Sequence, residues 1–277
     1  MEYNFPIPNV KVKQSKQFRK IEAPLFDDGF FSVNAQETAV NVKGVATYFA
    51  RYGKQIEVFP QNGAEKSKIE YFLNNWGVVS ILHQRRIINF HASSFGFGGK
   101  GIMICGDSGA GKSSLTASFC LDGAEFISDD ITPVIFKSGR PYILPIENKI
   151  QLREETVIQL GMMNRKQTAA NPFNHKLICN LKAATKDSIP LVHVFWINIS
   201  NTNRLTFTEL NGPEKFVMLR GEICGWEMLK GMRETEKAYM KKLVDISCVV
   251  EITRINRPEG MQLVKLYEIV KDYLENN

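Results

Sequence analysis

The chain is poor in the residues that build metal clusters and disulfide frameworks. Of its 277 residues only five are cysteine and four are histidine. Cys105, Cys120, Cys179, Cys224 and Cys248 are odd in number, and none stands in a Cys-x-x-Cys pair. That argues against a disulfide scaffold or a cysteine-bound zinc, and for small buried hydrophobes in a reducing compartment. No apolar run approaches the roughly 18 residues a membrane-spanning helix needs. The longest apolar-rich run, Ile189 to Ile197, is strand length, and Met1 to Pro6 carries no charged-then-apolar leader pattern. A cytoplasmic protein without membrane contact is the expectation. Charge of one sign is also scarce, since 35 Lys and Arg against 29 Asp and Glu leave a net +6. That excess suits anionic ligands and is too diffuse to imply nucleic acid. Its densest cluster, Lys11, Lys13, Lys16, Arg19 and Lys20, reads as a solvated strand or edge face.

Against this background one stretch stands out. Gly106 to Ser113 reads Gly-Asp-Ser-Gly-Ala-Gly-Lys-Ser, the full G-x-x-x-x-G-K-S pattern of a P-loop. A strand-like run, Gly101 to Cys105, leads in, and a helix-compatible run, Ser113 to Leu121, leads out. The glycines let backbone N–H groups converge on phosphate oxygens, and the helix turns its positive dipole end to the same place. The residues expected to bind a triphosphate are therefore Gly106, Asp107, Ser108, Gly109, Ala110, Gly111, Lys112, Ser113 and Ser114. Lys112 is expected at the β- and γ-phosphates and Ser113 at Mg2+.

The surrounding rhythm is not the alternating βαβα of a doubly wound sheet. Residues 1–65 hold short β-rich runs, including 30–33, 39–42 and 56–59. Residues 67–83 have helical periodicity, and Arg85 to His91 reads as a strand. Hairpins flank the loop, one turning in Phe95-Gly-Phe-Gly-Gly99 and one in Lys137-Ser-Gly-Arg-Pro141. Residues 151–161 look helical, and 162–188 read as a polar, irregular loop region. Strands follow at 189–199 and 204–210. A helical tract runs from Pro213 to Leu243 with breaks at Gly221, Gly225 and Gly231, then a strand at 249–254 and a closing amphipathic helix at 261–274. The fold class expected is α/β, with a mixed, partly antiparallel sheet carrying the P-loop. A small β-rich N-terminal part would occupy residues 1–80 and the catalytic domain residues 81–277.

Three features cohere with the loop. His91 lies 15 residues before Gly106, on the strand next to the loop strand, although an isolated histidine is more often structural. Asp129-Asp130 lies 17 and 18 residues after Lys112, at the end of a short strand. Such a pair can divide its labour, one carboxylate with the metal and one accepting a proton from a hydroxyl. Downstream cations, Lys149, Arg153 and Lys176, could surround a γ-phosphate, or each could be a surface charge.

In this order and spacing, His91, the P-loop and Asp129-Asp130 resemble the catalytic domain of HPr kinase/phosphorylase, within the broader group of HPr kinase-related proteins, some of which phosphorylate precursor peptides. The resemblance is carried by Leu82 to Arg85, His91 to Ser93, the P-loop, Gly123 to Asp130, and Leu144-Pro145 leading to Lys149 to Leu152. It is weaker at His175-Lys176 and Pro190 to Ile197. It implies a fold similar to phosphoenolpyruvate carboxykinases, with ATP and Mg2+ as cofactors. It also implies Asp129, Asp130, His91 and Lys112 as catalytic residues, Ser113 and Asp130 as metal ligands, and Lys149 as a further nucleotide contact. The expected reaction is transfer of the γ-phosphate to a Ser or Thr hydroxyl of a protein or peptide, by an enzyme of a kind that often forms homo-oligomers. The segment after Asp130 lacks the family's Glu-Arg-Gly-rich signature, and the large N-terminal domain of full-length HPr kinases is missing, so neither HPr as acceptor nor a reverse phosphorylase activity is implied. A kinase of small-molecule hydroxyls and a nucleotide-binding regulator without turnover are the alternatives.

Overall fold

Asx turns and glycines cut the first sixty residues into short strands. Asp28 Oδ1 accepts the Phe31 N–H at 2.7 Å and Asn34 Oδ1 accepts the Glu37 N–H at 2.8 Å, each reversing the chain between strands. The computed structural model describes residues 3–146, 148–163, 167–181 and 185–276. Its early strands are β1 (Lys11–Gln14), β2 (Phe26–Asp27), β3 (Phe31–Val33), β4 (Glu37–Val42), β5 (Ala46–Arg51) and β6 (Gln55–Pro60). Helices α1 (Lys66–Phe72) and α2 (Val78–Gln84) follow, joined by a π-helical turn over Leu73–Gly77. Strands β7 (Ile88–Phe90), β8 (Ser93–Phe97) and β9 (Lys100–Gly106) lead to α3 (Lys112–Leu121). Then come β10 (Glu125–Ser128), β11 (Thr132–Lys137), β12 (Arg140–Ile143), β13 (Lys149–Leu152), α4 (Glu154–Gln159), β14 (Gln167–Ala170), β15 (Leu177–Asn180), β16 (Ile189–Ser200) and β17 (Thr206–Glu209). The chain closes with α5 (Gly212–Gly221), a 3-10 segment at Trp226–Gly231, α6 (Arg233–Val249), β18 (Glu251–Pro258) and α7 (Leu263–Asn276).

Contacts group the chain into two compact units. One is Met1–Asn89 with Ile223–Leu243, and the other is Phe90–Glu222 with Val244–Asn277. In the first, the strands form a six-stranded sheet of order β1-β6-β5-β4-β3-β2, antiparallel except for the parallel pair β1/β6. Val33, Val40, Tyr48, Ile56 and Val58 are buried along it, and the Tyr48 hydroxyl donates to Ile69 O at 2.9 Å. Glu57, only 1% exposed, gathers Lys13 at 3.3 Å, Arg19 at 3.5 Å and Arg51 at 3.5 Å. Two members of the basic N-terminal cluster therefore neutralise a buried carboxylate instead of forming a purely solvated face.

In the second unit the strand order β10-β8-β9-β16-β12-β11 mixes directions. β8 is antiparallel to both β9 and β10, whereas β9, β16 and β18 run parallel. β16 is long enough to change neighbours on one side, pairing β12 at Ile189 and Pro190 and β18 from His193 onward. α3 packs in this unit's core, where the Phe119 ring stacks on Phe95 at 4.4 Å and meets Tyr267 of α7 edge-on at 5.0 Å. The mixed α/β class is thus observed, with a β-rich N-terminal part. The described part of residues 162–188 holds two strands where its polarity suggests irregular loop. β14 and β15 complete an antiparallel sheet of order β13-β15-β14, with Cys179 fully buried, while residues 164–166 and 182–184 of that stretch lie outside the described residues. Four-residue strands leave little periodicity to read, and β13 finds its partner β15 about 25 residues on. The strand expected from Arg85 starts at Ile88, because Arg86 takes a left-handed turn (φ 54°) after α2.

Candidate active site

Strand directions alone bring the site together. β8 is antiparallel to both of its neighbours, so β9 and β10 end on the same edge of the sheet, where β8 begins. The loop after β9, the Asp129-Asp130 turn after β10 and His91 just before β8 therefore meet there. Buried hydroxyls fasten this edge. Ser94 Oγ lies 2.8 Å from Ser128 Oγ, and Thr132 donates to Ala92 O at 3.0 Å.

The loop bends at Gly106 (φ 132°), Gly109 (φ 87°) and Gly111 (φ 103°). At Gly106 the constraint is steric as well, since a Cβ there would stand 2.2 Å from Ile197 O on β16. Asp107, Ser108 and Gly109 are exposed, while Ala110 is buried. Lys112, 8% exposed, folds back so that Nζ donates to Gly106 O at 2.6 Å and Asp107 O at 3.3 Å. Ser113 Oγ donates to Asp129 Oδ1 at 2.8 Å, and Gln151 N donates to Asp129 Oδ2 at 3.0 Å. Ser114 Oγ lies 3.4 Å from Thr156 Oγ1 of α4.

Asp129 is 3% exposed, and its burial pushes the carboxyl up from the usual aspartate value despite the Gln151 N–H. Asp130 is in the left-handed region (φ 68°), and its Oδ1 lies 3.4 Å from His91 Nδ1. Burial, and then the Lys112 ammonium, hold the His91 imidazole below its ordinary value, so it is neutral at pH 7. The aspartates thus have separate neighbours, Asp129 with Ser113 and Asp130 with His91. Among the described residues no group of three or more His, Cys, Asp or Glu could hold a metal unaided.

No protein-family model matches the chain, and no curated protein matches it. Among the solved structures it resembles is the HPr(Ser) kinase/phosphatase from Coxiella burnetii, at 10% identity and a TM-score of 0.37, over 68% of this chain and 97% of that one.

Of the downstream cations, Arg153 comes to the loop, with Nη2 3.6 Å from where a Cβ on Gly109 would stand. Lys176 directly precedes Leu177, the partner of Leu152, so it lies at the Arg153 end of the β13–β15 ladder. Lys149 is exposed on β13, two residues before Gln151. Sequence reading missed three neighbours of the site. Gln151 lies in the Lys149 to Leu152 segment but carries no charge to mark it. Arg257 Nε donates to Ala110 O at 3.0 Å from the end of β18, 147 residues along the chain. Glu222 reaches Gly106 from the end of α5. Nothing local in the sequence marks the last two.

Proposed function

We propose that this site binds ATP through the Gly106–Ser113 loop and transfers its γ-phosphoryl group to the hydroxyl of a Ser or Thr in a protein or peptide. The observation that supports this most is the separation of the aspartates. One carboxylate sits beside the loop hydroxyl Ser113, and the other faces a neutral histidine. A loop that only held nucleotide would need no second carboxylate.

The residues suit a hard divalent cation such as Mg2+. Ser113 Oγ and the two carboxylates are oxygen donors, and Mg2+ takes few protein ligands when phosphates supply the others. Asp129 is a buried carboxylate that added positive charge would relieve. When bound, such a cation neutralises charge across the β- and γ-phosphates. The protein's own residues would do the rest. Lys112 leaves the loop carbonyls for the phosphates, and Arg153 adds charge at Gly109. Asp130, whose Oδ1 lies 3.4 Å from His91 Nδ1, accepts the acceptor's hydroxyl proton. The acceptor oxygen bonds to the γ-phosphorus as its bond to the β-phosphate oxygen breaks, and ADP leaves.

The test is transfer of label from γ-labelled ATP to proteins and peptides of a lysate. Lys112→Ala should weaken nucleotide binding at least about tenfold. Asp130→Asn should lower transfer by roughly 10²-fold or more, with nucleotide affinity nearly unchanged. If ATP binds tightly but label reaches no acceptor, the kinase reading fails. Label on a small molecule instead would redirect it.

A further inference from the structure

β16 and β18 run parallel to β9, so their carboxyl ends reach the edge of the sheet that carries the loop. Near that end their ladder pairs Ile199 with Arg257. Side chains alternate along a strand, so these two share a face with Ile197 and Ile255, which lie in one buried cluster with residues of α3 and α7. Beyond that cluster Ile199 is 42% exposed. Arg257 is half-buried, and its Nε donates to Ala110 O at 3.0 Å. Its Nη1 lies 3.5 Å from Pro258 O, too far for a strong bond. Among the described residues no carboxylate pairs with this guanidinium, and its Nη2 donates to no group. Ser200, the last residue of β16, holds its Oγ 2.7 Å from Thr202 Oγ1 and 3.5 Å from Arg257 O. An exposed apolar side chain, an unpaired guanidinium and two hydroxyls therefore gather at one strand end beside the loop.

We infer that the nucleoside of the bound triphosphate lies on this Ile199–Arg257 rung, its base packed on Ile199 and its polar edge accepting from Arg257. This rests on the reading of the loop as a triphosphate site. The proposed transfer sets the γ-phosphate beside Asp130 and His91, on the β8 and β10 side of β9. The nucleoside at the other end of the triphosphate then leaves over the opposite side, where β16 and β18 end. The carboxyl ends of parallel strands are also where open α/β sheets receive their ligands. The chemistry at the rung suits a nucleoside, which has a flat apolar face, acceptor atoms on its edge and ribose hydroxyls. Ile199 offers apolar contact, Arg257 a planar set of donors that can hydrogen-bond or stack, and Ser200 and Thr202 hydroxyl partners. An inorganic polyphosphate needs none of these. An arginine that only braced the loop through Ala110 would instead serve every polyphosphate alike.

Calorimetry with two ligands, Mg·ATP and Mg·tripolyphosphate, separates these roles. The unaltered protein should bind ATP more tightly than tripolyphosphate. Arg257→Ala and Ile199→Ser should each weaken ATP binding by about fivefold or more, while tripolyphosphate affinity stays within about twofold. If Arg257→Ala does not fold, Ile199→Ser decides alone, since its side chain is exposed and lies outside the loop. The inference is overturned if either folded variant weakens both ligands alike or leaves ATP binding unchanged. It is also overturned if the unaltered protein holds tripolyphosphate as tightly as ATP, a result that leaves the triphosphate reading intact. If the unaltered protein binds neither ligand, that reading falls and the inference with it.

Discussion

At Asp130 the charge and the backbone can be tested apart. Its φ of 68° is a conformation that Asn and Asp tolerate and most other side chains resist. Asp130→Asn should therefore fold with unchanged stability and lose only transfer, whereas Asp130→Ala should also lose about 1 kcal/mol in urea denaturation. Equal stability of the two variants would mean the turn is relaxed and that neither isolates the chemistry. Asp129 poses the opposite problem, because its backbone is ordinary and its charge is buried. Ser113 Oγ and Gln151 N each donate to one of its oxygens, but no cation does so among the described hydrogen bonds and ion pairs. Its raised carboxyl means that the ligand-free protein carries this charge at a cost. Added Mg2+ should raise the melting temperature of the unaltered protein, and Asp129→Asn should abolish that rise. A rise that persists in the variant would place the cation elsewhere.

Within the β9–loop–α3 element, the three glycines are not equivalent. Gly111 has φ 103° but open space around it, so Gly111→Ala meets only backbone strain, worth about 1–2 kcal/mol. Gly106 combines φ 132° with the Ile197 carbonyl 2.2 Å from any added Cβ. Gly106→Ala should force β9 from β16, cost roughly 3 kcal/mol or more, and remove nucleotide binding. Comparable losses in the two variants, measured by denaturation, would contradict this ranking. Elements of this kind are the ones the sequence announces. The strand, glycines, lysine and helix of the loop are contiguous, as are the hairpin at Gly98-Gly99 and the breaks at Gly221, Gly225 and Gly231 that divide α5, the 3-10 segment and α6. His91 and Asp129-Asp130 are legible for a related reason, since the short connections around β8 and β10 keep them near the loop. The β13–β15–β14 sheet is hidden because its strands are only four residues long and the β13–β15 pairing is remote. Glu222 and Arg257 are hidden for the same reason on a longer scale. Their approach depends on the end of α5 and on the register of β18 against β16, which no local pattern encodes.

For the whole molecule, the reserve of acid sensitivity lies in its histidines. His83, in the first unit, is fully buried, with Nε2 2.9 Å from Cys224 O and Nδ1 2.9 Å from Tyr239 Oη. His193, in the second, has Nε2 3.1 Å from Thr253 Oγ1 and Nδ1 3.3 Å from Glu251. Burial lowers each to about 4, with the Lys215 and Lys100 ammonium groups adding to the effect at His193. In the unfolded chain both return to about 6.5. The unfolded state therefore binds more protons between pH 4 and 6.5, so the stability each neutral imidazole confers is complete above 6.5 and is lost as pH falls towards 4. The full loss is about 3 kcal/mol per histidine. The raised carboxyls of Asp129 and Glu222 act in the opposite sense within that window, because there the folded state holds the extra protons. The net slope is thus smaller than the two histidines alone would give, and the comparison must be made between variants. Replacing His193 with Gln should flatten the dependence of urea-unfolding free energy on pH between 6.5 and 4.5, by up to about 1.4 kcal/mol per pH unit. In the unaltered protein, the imidazole C2–H signals of His83 and His193 should stay unshifted in a titration down to pH 5. A signal from either that titrates near 6.5 would mean that its ring is open to water and that the stability assigned to it is absent.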